Sequence, residues 1–147
     1  MALEQMFVGQ YQHAIDDKGR VTLPAKFRAE LATGVVVTRG LDGCLFVYPM
    51  EEWKRLSGRI NDMSVANPKA RQIARYFFSG ANECSPDRQG RILIPSFLRD
   101  YARLDGEAMI VGSGTRIEIW NTETWEETIQ VAQDEIVPIA EELADFF

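Results

Sequence analysis

Asp16-Asp17-Lys18-Gly19-Arg20-Val21-Thr22-Leu23-Pro24-Ala25-Lys26-Phe27-Arg28 is written a second time, 71 positions later, as Asp87-Arg88-Gln89-Gly90-Arg91-Ile92-Leu93-Ile94-Pro95-Ser96-Phe97-Leu98-Arg99. Asp16, Gly19, Arg20, Pro24 and Arg28 meet their own kind at Asp87, Gly90, Arg91, Pro95 and Arg99. Val21/Ile92, Leu23/Ile94 and Phe27/Leu98 keep an apolar character. At a shift of 72, Tyr48 overlies Trp120 and Trp53 overlies Trp125. The two halves therefore read as one unit duplicated. Within each copy, the glycine supplies the backbone freedom that a tight hairpin turn needs. Arg-Val-Thr-Leu and Arg-Ile-Leu-Ile read as short strands. Pro24 and Pro95 suit the first position of a helix, where a missing N–H costs nothing. The pattern predicts short helices over Pro24–Leu31 and Pro95–Ala102, with Phe27 and Leu31 on one face and Phe97 and Tyr101 on the other copy's.

Working outward, Val8–Ile15 alternates as a strand leading into the first turn. Val35–Thr38 and Cys44–Tyr48 read as strands joined across Gly40-Leu41-Asp42-Gly43. Pro49-Met50-Glu51-Glu52 opens a helix with Trp53, Leu56 and Ile60 at core spacing. Asn67-Pro68 starts another, to about Phe78, with Ile73, Tyr76 and Phe77 on one face and Lys69, Arg71 and Arg75 on another. It has no counterpart in the second half. Met109–Gly112 and Arg116–Trp120 repeat the strand pair. Asn121 or Thr122 caps a final helix with Trp125 and Ile129 inward, which Pro138 is expected to interrupt before an acidic, apolar tail. Met1–Gln5 are given no role.

Halves of this size are marginal alone, because small domains bury a low fraction of their surface. The expectation is one fused domain over 1–147, with repeats at about 7–53 and 79–125, a helical connector at 54–78 and a C-terminal helix or tail at 126–147. No apolar run approaches a membrane span, and no signal-peptide pattern opens the chain. Cys44 and Cys84 read as free thiols of a cytosolic protein. The net charge of −6 argues against nucleic acid only on average. Residues 117–147 carry nine acids and no Lys or Arg, leaving 16 basic and 13 acidic residues in 1–116. Local fields govern what a surface attracts.

The doubled Asp-x-x-x-Arg, Met6-Phe7-x-Gly9 and Leu45-x-Val47-Tyr48-Pro49-x-x-x-Trp53 resemble the MraZ family, within the wider AbrB-like, swapped-hairpin group of bacterial DNA-binding proteins. The resemblance spans nearly the whole chain. It implies an α+β fold: a pseudo-two-fold β-barrel built from two tandem AbrB-like half-repeats with flanking helices. It further implies a cytoplasmic, nucleoid-associated homo-oligomer, a ring, acting on repeated promoter elements of a cell-division and cell-wall gene cluster. Double-stranded DNA is the expected partner, with no membrane and no small-molecule substrate. The motif positions carried over are Asp16, Arg20, Asp87 and Arg91, and the wider group adds Arg28 and Arg99. Lys18, Lys26 and Arg88 are candidates for the DNA backbone. Lys18 becomes Gln89 and Lys26 becomes Phe97 in the second copy, so the two copies need not contact DNA equally.

On residue chemistry alone, two readings of Arg20 and Arg91 stand side by side. Guanidinium forks suit phosphate oxygens and the guanine edge, with Asp16 and Asp87 holding them by paired hydrogen bonds. Equally, Asp, Gly and Arg could merely lock the hairpin. A protein-interaction, scaffold or antitoxin-like module without DNA readout is the alternative function, with the acidic C-terminus gripping a partner. An enzyme has little support: His13 is the only histidine, and no phosphate loop or metal-ligand spacing occurs. No catalytic residue, cofactor or metal is expected.

Overall fold

The computed structural model describes residues 6–146. Its strands are β1 (Gln10–Ala14), β2 (Arg20–Thr22), β3 (Val35–Arg39), β4 (Leu45–Pro49), β5 (Asn82–Cys84), β6 (Arg91–Leu93), β7 (Glu107–Gly112) and β8 (Ile117–Trp120). Its helices are α1 (Arg28–Leu31), α2 (Met50–Asn61), α3 (Pro68–Gly80), α4 (Ser96–Ala102) and α5 (Thr122–Glu142). Six strands form one antiparallel sheet in the order β1-β7-β8-β4-β3-β5, and β2 and β6 form a separate ribbon. The fold is thus α+β, but the sheet ends on β1 and β5 and the expected closed barrel is not formed.

Each half hands its first strand to the other. β1 pairs with β7, and β5, its repeat-equivalent, pairs with β3. In the ribbon, Val21 sits opposite Ile92, its own repeat-mate, with Arg20 opposite Leu93 and Thr22 opposite Arg91. A local two-fold axis therefore passes between Val21 and Ile92. Backbone bonds extend it: Leu23 N donates to Gly90 O (2.8 Å) and Ile94 N to Gly19 O (2.9 Å). Val21 and Ile92 are buried in a core that draws Phe27, Leu31, Val37 and Leu45 from one half and Leu98, Ile110, Ile117 and Ile119 from the other. Each such side chain contributes roughly 1.5–3 kcal/mol by leaving water.

A second apolar cluster lies on the sheet's other face. There Phe46, Tyr48, Met109 and Trp120 are covered by Ile60 of α2, Phe77 of α3 and Trp125 of α5. Thr38 Oγ1, fully buried, donates to Phe77 O (2.7 Å), seating α3 on β3. The capping expectations hold: Asn67 accepts from Lys69 N and Asn121 from Thr124 N.

Several expectations shift. Pro24 and Pro95 stand one residue earlier than expected, as caps in extended geometry whose carbonyls accept from Phe27 N and Leu98 N. The first helix splits into a 3-10 turn, Ala25–Phe27, and the single α turn α1. In α4 the buried residues are Leu98 and Ala102, whereas Phe97 is exposed, because Leu98 rather than Phe97 occupies the place of Phe27. Ile73 is likewise exposed. Trp53 and Leu56 are only half-buried, packed against the second cluster. The helix carrying Pro138 does not break there. The proline lies on an exposed stretch, where water can reach the Asp134 carbonyl that it leaves without an amide partner. Residues 1–5 lie outside the described residues.

Candidate nucleic-acid interface

Each repeated turn is built the same way. Gly19 N donates to Asp16 O (3.0 Å) and Gly90 N to Asp87 O (2.9 Å), with the glycines at φ +86° and +77°. One oxygen of the Asp16 carboxylate accepts from Lys18 N (3.0 Å) and Arg20 N (2.8 Å), and the other from Arg20 Nε (2.7 Å). Asp87 repeats the set with Gln89 N (2.9 Å), Arg91 N (2.9 Å) and Arg91 Nε (2.8 Å). A short Asx side chain accepting from the backbone two residues on is how aspartate stabilises a turn. These bonds, the Arg20 and Arg91 backbone N–H groups first, hold both carboxyls below the ordinary aspartate range. The expected Asp–Arg pairing is present, with the carboxylate divided between backbone and side chain.

That division matters for chemistry. Among the described residues, hydrogen bonds engage only Nε of Arg20 and Arg91, leaving the two terminal amino groups of each guanidinium unclaimed. The side chains keep 32% and 29% of their surface in water, so neither is sealed inside. Side chains alternate along a strand. With Val21 and Ile92 buried, Arg20, Thr22, Arg91 and Leu93 share the ribbon's outer face. Arg20 and Arg91 are diagonal neighbours there, about 7–8 Å apart. Lys18 and Arg88 are exposed in the flanking turns.

Arg28 and Arg99 each reach a backbone carbonyl of their own repeat. Arg99 Nε donates to Ile94 O (2.9 Å) and Arg28 Nε to Leu23 O (3.3 Å). Each lies across the turn of the opposite repeat. A Cβ on Gly19 would come 2.6 Å from Arg99 Nε, and one on Gly90 would collide with Arg28 Nε. Asp16, Lys18, Arg20 and Arg99 thus gather at one turn, and Asp87, Arg88, Arg91 and Arg28 at the other. Nothing local in the sequence places Arg28 by Gly90, although the doubled glycine signals a close approach. Lys26 stands apart, its Nζ 5.4 Å from the centre of the Tyr11 ring. His13 is half-buried, and burial together with the Arg28 charge pushes its pKa down. Among the described residues, no group of His, Cys, Asp and Glu could hold a metal ion, and no helix is long and apolar enough to cross a membrane.

The duplicated turn also has relatives. The family model described as MraZ protein, putative antitoxin-like, matches this sequence twice, over residues 6–76 and 77–147. The chain belongs to the MraZ family. A protein named transcriptional regulator MraZ from Moorella thermoacetica is 50% identical over 141 residues, covering 96% of this chain and 99% of its own. Its namesakes from Heliobacterium modesticaldum and Carboxydothermus hydrogenoformans match to the same extent. These relatives carry the names of regulators rather than enzymes. The tandem match agrees with the MraZ double turn read from Asp16–Arg28 and Asp87–Arg99.

Proposed function

We propose that this protein is a sequence-specific DNA-binding transcriptional regulator, working from the cytoplasm on the nucleoid. In this reading the outer face of the β2–β6 ribbon meets DNA. Arg20 and Arg91 offer their terminal amino groups to phosphate oxygens or to guanine, and Lys18 and Arg88 add backbone contacts. Asp16 and Asp87 fix the aim of each guanidinium, and Arg28 and Arg99 brace the opposite turn. The observation that carries the reading is that each guanidinium is held through Nε while its outer edge stays free. A merely structural hairpin lock would not need that edge in solvent.

The finer points follow from the same reading. The strand exchange between halves supports a swapped-hairpin arrangement like that of the AbrB-like group, with the chain working as one fused unit. It acts as a homo-oligomer, a ring, on direct repeats in a cell-division and cell-wall promoter. Tethering several ribbons on successive repeats raises affinity through effective concentration. The relatives' shared name, transcriptional regulator, supports the function.

The test is fluorescence anisotropy on a fragment of the gene's own upstream region, titrated at several salt concentrations. Arg20→Ala should weaken binding and lower the salt slope by about 0.9 for each phosphate it no longer neutralises. The far-ultraviolet spectrum should not change. Unchanged affinity and slope would refute the assignment. Binding that persists after removal of residues 138–147 would separate it from a C-terminal partner-gripping role.

A further inference from the structure

We infer that the distal half of α5 docks on the α2–α3 corner of a second copy of this chain. The inference rests on the homo-oligomer part of the proposed function and supplies its contact. Trp125, Ile129, Ala132, Ile136, Ile139 and Leu143 follow one another at spacings of four and three. That alternation makes one apolar seam along a helix, the pattern by which helices pair. The chain uses only the first part of it. Trp125 is buried and Ile129 packs against the second cluster, but Ile136, Ile139 and Leu143 are 53%, 39% and 57% exposed. From Ala132 to Glu142 the uncovered helix runs about 16 Å at 1.5 Å per residue. In the first half the corresponding helix, α2, has α3 beside it, with Trp53 and Phe78 in edge contact. Among the described residues, nothing comparable lies over the distal half of α5.

Charge chooses the occupant. Glu135 and Glu142 each precede a seam residue and run down one flank, and residues 117–147 contain no Lys or Arg. Two copies of α5 laid seam to seam would bring acid against acid, which is unfavourable. The complementary surface is the corner of α2 and α3. A groove of about 110 Å³ opens there between Ile60, Met63, Val65, Ala70 and Ala74, with Arg71 also in its wall. It has room for a branched aliphatic side chain. Arg59 and Arg75 are exposed on the same two helices. An acidic helix with an apolar seam fits an apolar groove that has Arg71 in its wall and Arg59 and Arg75 on the two helices that form it. Donor and acceptor surfaces differ, so each copy keeps one of each to offer onward, and the contact propagates until it closes on itself.

The experiment is sedimentation velocity of the full chain without DNA. Ile136→Asp with Ile139→Asp should reduce the assembly to monomer with its circular-dichroism spectrum intact. Glu135→Lys with Glu142→Lys should weaken association about tenfold or more, as should Arg59→Glu with Arg75→Glu. Mixing these two charge-reversed chains, or combining all four changes, should restore it. A monomeric wild type, an assembly indifferent to Ile136 and Ile139, or lysines on α5 that strengthen association would each overturn the inference; the last would mean that α5 pairs with itself. Arg20→Ala with Arg91→Ala should keep the assembly while abolishing DNA binding, so the two readings fail separately.

Discussion

Replacing Gly19 by alanine tests the cross-repeat brace directly. Gly19 has φ +86°, and its new Cβ would lie 2.6 Å from Arg99 Nε and 2.7 Å from Arg99 Cζ. The left-handed backbone alone costs an L-residue about 1–2 kcal/mol. Arg99 must also move, giving up its 2.9 Å bond to Ile94 O. A hydrogen bond from a charged donor contributes up to about 3 kcal/mol, and for this part-exposed arginine about 1 kcal/mol is appropriate. Gly43 supplies the control, with φ +84° and nothing within 4 Å of an added Cβ. Gly19→Ala should therefore destabilise by about 1 kcal/mol more than Gly43→Ala, a further fall in Tm of roughly 2–4 °C. Thermal melts at one protein concentration read the difference. In an Arg99→Ala background the excess should vanish, since the clash and the bond are both gone. Equal melting shifts for the two alanines, or an excess that persists without Arg99, would refute the brace.

Acid should act on the same turns. The folded pKa values of Asp16 and Asp87 are depressed, chiefly by the backbone N–H groups of Arg20 and Arg91. Their stabilisation is therefore full above the ordinary aspartate pKa of about 3.9 and is lost as pH falls through the folded values. Asp16→Asn with Asp87→Asn should flatten the acid limb of a Tm-against-pH curve; an unaltered limb would contradict the assignment. Burial pushes the Cys44 thiol up to about 12 and the Cys84 thiol up to about 11. Both should react slowly with a disulfide reagent at pH 8 in the native protein and rapidly in urea, because the thiolate is the nucleophile. Fast native labelling would contradict the burial of Cys44 and the half-burial of Cys84.

Local chemistry makes much of this fold legible in the sequence. Asp-x-x-Gly-Arg announces its turn because an Asx side chain and a left-handed glycine act within five residues. Asn67 and Asn121 announce their helices for a similar reason. What escapes depends on partners distant in sequence. The short strand β5 has too few residues for periodicity, although shifting Tyr11–His13 by 71 positions lands on Asn82–Cys84. The open sheet escapes because closure depends on how edge strands lie, which no local pattern encodes. Phe97 resembles a core residue because aromatic residues at helical spacing usually are. The repeat register, which places Leu98 over Phe27, is the better guide. Arg28 and Arg99 can be found as basic residues but not as braces, since each works on a turn far along the chain, at Gly90 and Gly19.

The Val21–Ile92 pairing fixes what fusion has made possible. Two identical subunits meeting on such an axis would present the same face in either orientation, and so could not distinguish the head of a bound molecule from its tail. Joined in one polypeptide, the copies were free to diverge while the buried centre stayed paired. Lys18 now answers Gln89, Asp17 answers Arg88 and Thr22 answers Leu93. Anything that spans both turns therefore meets a surface with a direction, and must lie on it one way round.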